Sequence, residues 1–132
     1  MSAVLRLSAA LAAVLFGAAP SGAVTMERAR LQGLDKITAR VSTIEAPVGQ
    51  PVTFGALEIT VRACDKRPPE EPPESAAYLD IVEHQVNEEP KPIFSGWMFA
   101  SSPAVSAMEH PVYDIWVLDC MSASTAETGT SQ

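Results

Sequence analysis

The sequence predicts an all-β domain, a small antiparallel β-sandwich or barrel with one short helix, and three observations predict it. Several segments of the 132-residue chain alternate apolar and polar residues with a period of two. Stretches rich in proline and glycine separate them. Almost nothing repeats at the helical period. Five or more strands joined by such turns are most economically packed as two sheets or a closed one.

The elements follow in order. Residues 24–33 contain Met26, Glu27, Arg28, Ala29 and Arg30, which would suit a helical turn. A freshly exposed chain start is commonly loose, so this stretch reads as a weakly ordered arm. From Lys36 the period becomes two: Ile37, Ala39 and Val41 alternate with Thr38, Arg40 and Ser42, the pattern of a half-buried strand. The turn residues Pro47-Val48-Gly49-Gln50-Pro51 end it. The cleanest strand comes next, with Leu57, Ile59, Val61 and Ala63 on one face and Glu58, Thr60 and Arg62 on the other. Cys64 falls off that parity, so either it lies on the outer face or the strand twists before it.

Residues 65–75 are different in kind. Pro68, Pro69, Pro72 and Pro73 punctuate an acidic run, and proline neither donates to a sheet ladder nor lets its predecessor turn helical. An exposed, stiff, polyproline-like loop is expected. Tyr78 to Val86 and Ile93 to Ala100 then read as a hairpin around the turn at 87–92, with Phe94, Trp97 and Phe99 on the second strand and Gly96 as a bulge or point of close approach. Ser102-Pro103 opens a short helix over 104–109 that faces Val105 and Met108 inward, and Pro111 stops it. Val112 to Cys120 is the last strand. The Ser/Thr/Gly tail over 122–132 has no apolar periodicity and reads as disordered.

The first 23 residues place the protein. Arg6, the 13-residue apolar run Leu7–Ala19 and the small-x-small Ser21-Gly22-Ala23 have the form of a cleaved secretory signal, and the run is shorter than the roughly 20 residues of a membrane-spanning helix. The expected product is periplasmic or secreted, with no membrane span after cleavage and one domain over 34–121. In an oxidising compartment a lone cysteine pair is first a structural disulfide, here Cys64–Cys120. The two are too far apart for a CxxC redox pair, and with two histidines in the chain a four-ligand metal site is not expected. The formal charge of −7, or −8 once Arg6 is removed, argues against nucleic acid or an anionic membrane as partner.

The order of motifs is specific: Leu34-Asp35-Lys36-Ile37-Thr38-Ala39, Phe54-Gly55-Ala56-Leu57, the proline loop led by Cys64, Phe94-Ser95-Gly96-Trp97-Met98-Phe99-Ala100-Ser101-Ser102-Pro103, and His110-Pro111-Val112-Tyr113-Asp114-Ile115-Trp116-Val117-Leu118-Asp119-Cys120. Together they resemble DUF2155, a bacterial family of unknown function found chiefly in alphaproteobacteria, over about residues 34–120. The resemblance implies an exported, β-rich domain and brings no activity or catalytic residue with it. Within that family reading, the expected partner is a respiratory-chain or envelope-assembly complex.

Catalytic candidates are few. His110 and Asp114 are four residues apart, but Pro111 interrupts any helix, and in an extended strand they lie roughly 13 Å apart. His110 reads as a structural residue closing the short helix, and His84 as solvated beside Glu83. No GxSxG, HExxH or glycine-rich phosphate loop is present. The expectation is therefore a non-enzymatic domain without cofactor or metal that binds an envelope protein or membrane complex. Pro68, Pro69, Pro72, Pro73, Trp97 and Phe99 are the expected contacts. The alternative is a small-ligand or glycan binder that stacks its ligand on Trp97 and Trp116.

Overall fold

The computed structural model describes residues 24–123; the expected signal segment and all but the first two residues of the expected tail lie outside them. The chain runs β1 (Val24–Thr25), β2 (Arg28–Asp35), β3 (Arg40–Pro47), β4 (Val52–Phe54), β5 (Leu57–Lys66), β6 (Ser75–Glu83), β7 (Lys91–Phe99), a 3₁₀ turn η1 (Pro103–Ser106) and β8 (Tyr113–Met121). One antiparallel sheet has the order β1-β5-β6-β7, with β4 also paired to β5; the other has the order β3-β2-β8. Their inner faces share one core built from Ala29, Leu31, Leu57, Ile59, Val61, Leu79, Ile81, Met98, Ile115 and Val117 among others. The architecture is thus the antiparallel sandwich that the alternating patterns predict.

Cys64 and Cys120 form a disulfide between β5 and β8, with Cα atoms 5.7 Å apart, and both are fully buried. The parity question at Cys64 is resolved by a bulge. Leu57, Ile59 and Val61 face inward, the pairing with β6 shifts between Val61 and Ala63, and Arg62 is the extra residue. That shift turns Cys64 inward and Ala63 outward. β8 repeats the device: Ile115 and Val117 face inward, Leu118 is extra against β2, and Cys120 returns to the core. Each sheet delivers its cysteine through a bulge two residues earlier.

Four expectations are corrected. Residues 24–33 are not a loose arm: they hold β1 and most of β2, the central strand of its sheet, with Ala29, Leu31 and Gly33 buried. The strand read over 36–42 straddles the β2–β3 turn. Ala39 takes a left-handed backbone (φ 57°) and Ile37 is 76 % exposed. The helix over 104–109 is only the four-residue η1; Ser102 makes no side-chain capping bond and Val105 points to solvent, although Met108 is buried as expected. Gly96 sits in regular register opposite Leu79, and the irregularity of the β6–β7 pair falls at Ile81/Val82. The glycines of close approach are Gly33, beneath the Phe54 ring, and Gly55, beneath the Tyr113 hydroxyl with φ +57°.

Candidate functional site

The inward turn of Cys64 dictates what the β5–β6–β7 sheet shows to solvent. Asp65, Ala76 and Phe99 form one outward row across the three strands, and Ala63, Tyr78 and Trp97 form the next. Two small residues in these rows leave the aromatic rings standing above their neighbours. Asp65, Arg67, Glu74, Ala76, Trp97 and Phe99 line a groove of about 370 Å³. Trp97 is 40 % exposed, large for a tryptophan on a strand, and is held edge-on by Tyr78 with ring centroids 5.6 Å apart.

Polar pairs fix both ends of this aromatic strip. On one side Tyr78 Oη lies 3.1 Å from Ser95 Oγ, Ser95 donates to Asp80 Oδ1 (2.6 Å), and Arg62 Nε donates to Asp80 Oδ2 (2.7 Å). The Ser95 hydroxyl and the Arg62 guanidinium hold the Asp80 carboxyl below its ordinary range. On the other side the Ser101 hydroxyl donates to Glu74, and the Ser101 and Ser75 amides donate to the same carboxylate (3.2 and 3.1 Å). Those bonds, with a smaller contribution from Arg67, depress the Glu74 pKa. Glu74 thereby clamps the end of the proline loop to the chain leaving β7.

The proline loop is the β5–β6 connection, closed at its base by Arg67 N–H donating to Glu74 O (3.0 Å) and turned at its tip by Glu71 N–H donating to Pro68 O (3.0 Å). It is therefore a hairpin turn rather than an extended polyproline arm. Pro68, Pro69 and Pro73 line a second groove with Val24, Met26 and Glu71, and Lys66 and Arg67 border it as well. Pro72 is exposed and lines neither groove. The structure thus brings Trp97 and Phe99 to the foot of the loop, with Arg67 shared by both grooves. Trp116 stands apart, on β8 of the other sheet, beside Pro103, Ala107 and Met108. The two tryptophans do not form one stacking platform.

His110 has a partner that its sequence neighbourhood hides. Its Nε2 is hydrogen-bonded to Glu83 Oε2, and its Nδ1 accepts the amides of Val112 (3.0 Å) and Tyr113 (3.1 Å). Backbone amides only donate, so Nδ1 is unprotonated and the ring proton sits on Nε2, aimed at the carboxylate. This bond is the main cause of the lowered Glu83 pKa. Both ring nitrogens are committed to holding the η1–β8 segment against the end of β6. Asp114 pairs instead with Lys36 at 3.2 Å, so the His110–Asp114 pair weighed above is not formed. His84, expected solvated beside Glu83, lies 3.1 Å from Glu58 Oε2 at the surface. Among the described residues no group of three or more His, Cys, Asp or Glu side chains could hold a metal ion, and no helix is long and apolar enough to cross a membrane.

Tyr78 and Glu74 are not singled out by the sequence, whereas Lys66 and Arg67 read there as a local positive patch beside the proline loop. Tyr78 was within reach, because pairing the two strands of the expected hairpin sets it opposite Trp97. Arg67 and Glu74 join the site only through the loop closure.

Comparison with known proteins gives a consistent identity. A family described as an uncharacterized protein conserved in bacteria (DUF2155) matches residues 29–120. An uncharacterized protein of Rickettsia prowazekii (strain Madrid E) is 33 % identical over 91 residues, covering 69 % of this chain and 59 % of the relative, so the match spans less than two thirds of that protein's length. No solved structure matches. The chain belongs to the DUF2155 family.

Proposed function

We propose that this DUF2155 member is a non-enzymatic, exported domain, periplasmic in its working location, that docks onto another envelope protein or membrane complex through the Trp97–Phe99 groove and the adjoining proline loop. The observation that carries this reading is the exposed Trp97 beside Phe99, above small neighbours and next to a loop closed by backbone hydrogen bonds. Large aromatics standing on a fixed surface supply most binding energy at protein contacts. Two clamps of charged and hydroxyl groups already hold the strip in shape, so little ordering remains to be done on binding. His110 is consistent with this reading, since it spends both ring nitrogens on structure.

A pull-down of the tagged chain from gently solubilised envelopes, with mass spectrometry of the co-purifying proteins, tests the proposal. A stoichiometric envelope complex that is lost with Trp97→Ala supports it. A chain that purifies alone under the same conditions counts against it.

A further inference from the structure

Sheet edges attract other strands, and folded proteins usually shield them with short strands, proline, bulges or covering side chains. Most edges here are shielded in one of these ways. β1 and β4 have two and three residues. β7 carries Pro92 and an irregular register, and η1 packs beside it. β8 is bulged at Leu118, its Cys120 N–H is taken by the Ser75 hydroxyl (3.2 Å), and Pro103, Ala107 and Met108 share a groove with Asp114 and Trp116 of its first half.

Apart from the charges of Arg40 and Glu45, β3 has none of these shields. It is eight residues long, pairs with β2 in unbroken register, has no proline before its last residue, and among the described residues pairs with no other strand. Arg40, Val41, Ser42, Thr43 and Glu45 are all exposed, Val41 at 55 %. Alternate residues of such a strand turn their N–H and C=O groups away from β2 as a ready template. Val41, Thr43 and Ile44 are residues that strands favour. Glu45 already pairs with Arg30 (3.7 Å), whereas among the described residues no ion pair engages Arg40.

We propose that the β3 edge is a second interaction surface, taking an extended segment of a partner protein as an added strand, with β-branched residues beside Val41 and Thr43 and a carboxylate opposite Arg40. A second copy of this chain fits the edge less well. Strands related by a twofold axis oppose residues of the same face, so opposed numbers sum to an even value. The central registers of that kind set Arg40 against Ile44 or Val41 against Glu45, and none sets Arg40 against Glu45. The proposal is independent of the Trp97 groove, which lies on the other sheet.

The test is a nuclear magnetic resonance titration of the isotope-labelled full chain with two eight-residue probes, alternating Thr and Val with one Glu or with one Lys. Amide shifts should be confined to β3 and β2. The Glu probe should bind about fivefold more tightly than the Lys probe, and Arg40→Glu should reverse that order. Of Ser42→Pro and Thr43→Pro, the one whose N–H points away from β2 should keep the wild-type melting temperature and lose the probe. Trp97→Ala should bind the probe as wild type does, which separates this surface from the groove. No shifts at millimolar probe, shifts at β7 or β8 instead, or self-association through β3 without probe would overturn the proposal.

Discussion

Gly33→Ala probes the contact that locks the two sheets together. Gly33 lies on the core face of β2 after Ala29 and Leu31, and the Phe54 ring of β4, from the opposite sheet, lies directly over it. A Cβ added there would meet Phe54 Cζ at 2.8 Å and both Cε atoms at 2.9 Å. Carbon atoms pack best at about 3.5–4 Å, so the ring must retreat by about 1 Å. It has little room, because Tyr113 holds it edge-on with centroids 5.6 Å apart. Overpacking of this kind costs about 1–3 kcal/mol, which in a domain of this size lowers the melting temperature by roughly 5–20 °C. Circular dichroism melts of Gly33→Ala, Phe54→Leu and the double variant would read it. The double variant should be more stable than the sum of the single changes by at least about 1 kcal/mol, since the smaller side chain makes room for the methyl group. A neutral Gly33→Ala, or strictly additive losses, would refute the steric argument.

Other outcomes follow from the same structure. Replacing both Cys64 and Cys120 with Ser frees a loop with a sequence separation of 56 residues; in the chain-entropy account this costs roughly 4 kcal/mol and roughly 15–30 °C of melting temperature, and a loss below 5 °C would show that the bulged strands hold the sheets together without the bond. Acid should unfold the domain through Glu83, Glu74 and Asp80, whose carboxyl groups bind protons less readily when folded. Their stabilisation is complete above the unfolded carboxyl range, near pH 4.5 for Glu, and is lost as pH falls through the depressed folded values. Glu83→Gln should therefore flatten the acid limb of a melting-temperature profile, and an unchanged slope would remove Glu83 from the account. Exchanging Pro68, Pro69, Pro72 and Pro73 for Ser should weaken partner binding while shifting the melting temperature by only a few degrees, because the loop base is closed by backbone bonds at Arg67 and Glu74; retained binding would confine the contact to the aromatic groove.

Where a segment's own pattern coincides with its burial, the sequence is readable. β5, the β6–β7 hairpin and β8 alternate strongly, and each is a strand within a few residues of where the pattern puts it. β2 escaped because its inward residues are Ala29, Leu31 and Gly33, and two of the three are too small to mark a face. The apparent alternation at Ile37, Ala39 and Val41 is misleading because Ala39 adopts a turn conformation usually left to glycine or asparagine. Bulges at Arg62 and Leu118 reverse the parity before each cysteine, and a period count has no means of placing an extra residue. The groove was half legible: Trp97 and Phe99 announce themselves by size, but Arg67 and Glu74 reach it only because the proline loop closes on itself. His110 and Glu83 are 27 residues apart, and their bond is purely tertiary.

The most direct measurement is the affinity of the partner recovered from envelopes for the wild-type chain and for Trp97→Ala and Phe99→Ala, read by calorimetry beside the melting temperature of each variant. A loss of about 2 kcal/mol or more in binding, roughly thirtyfold, with melting shifted by only a few degrees is the result this account predicts. Binding that survives both substitutions in folded protein would contradict it and move the contact elsewhere on the domain.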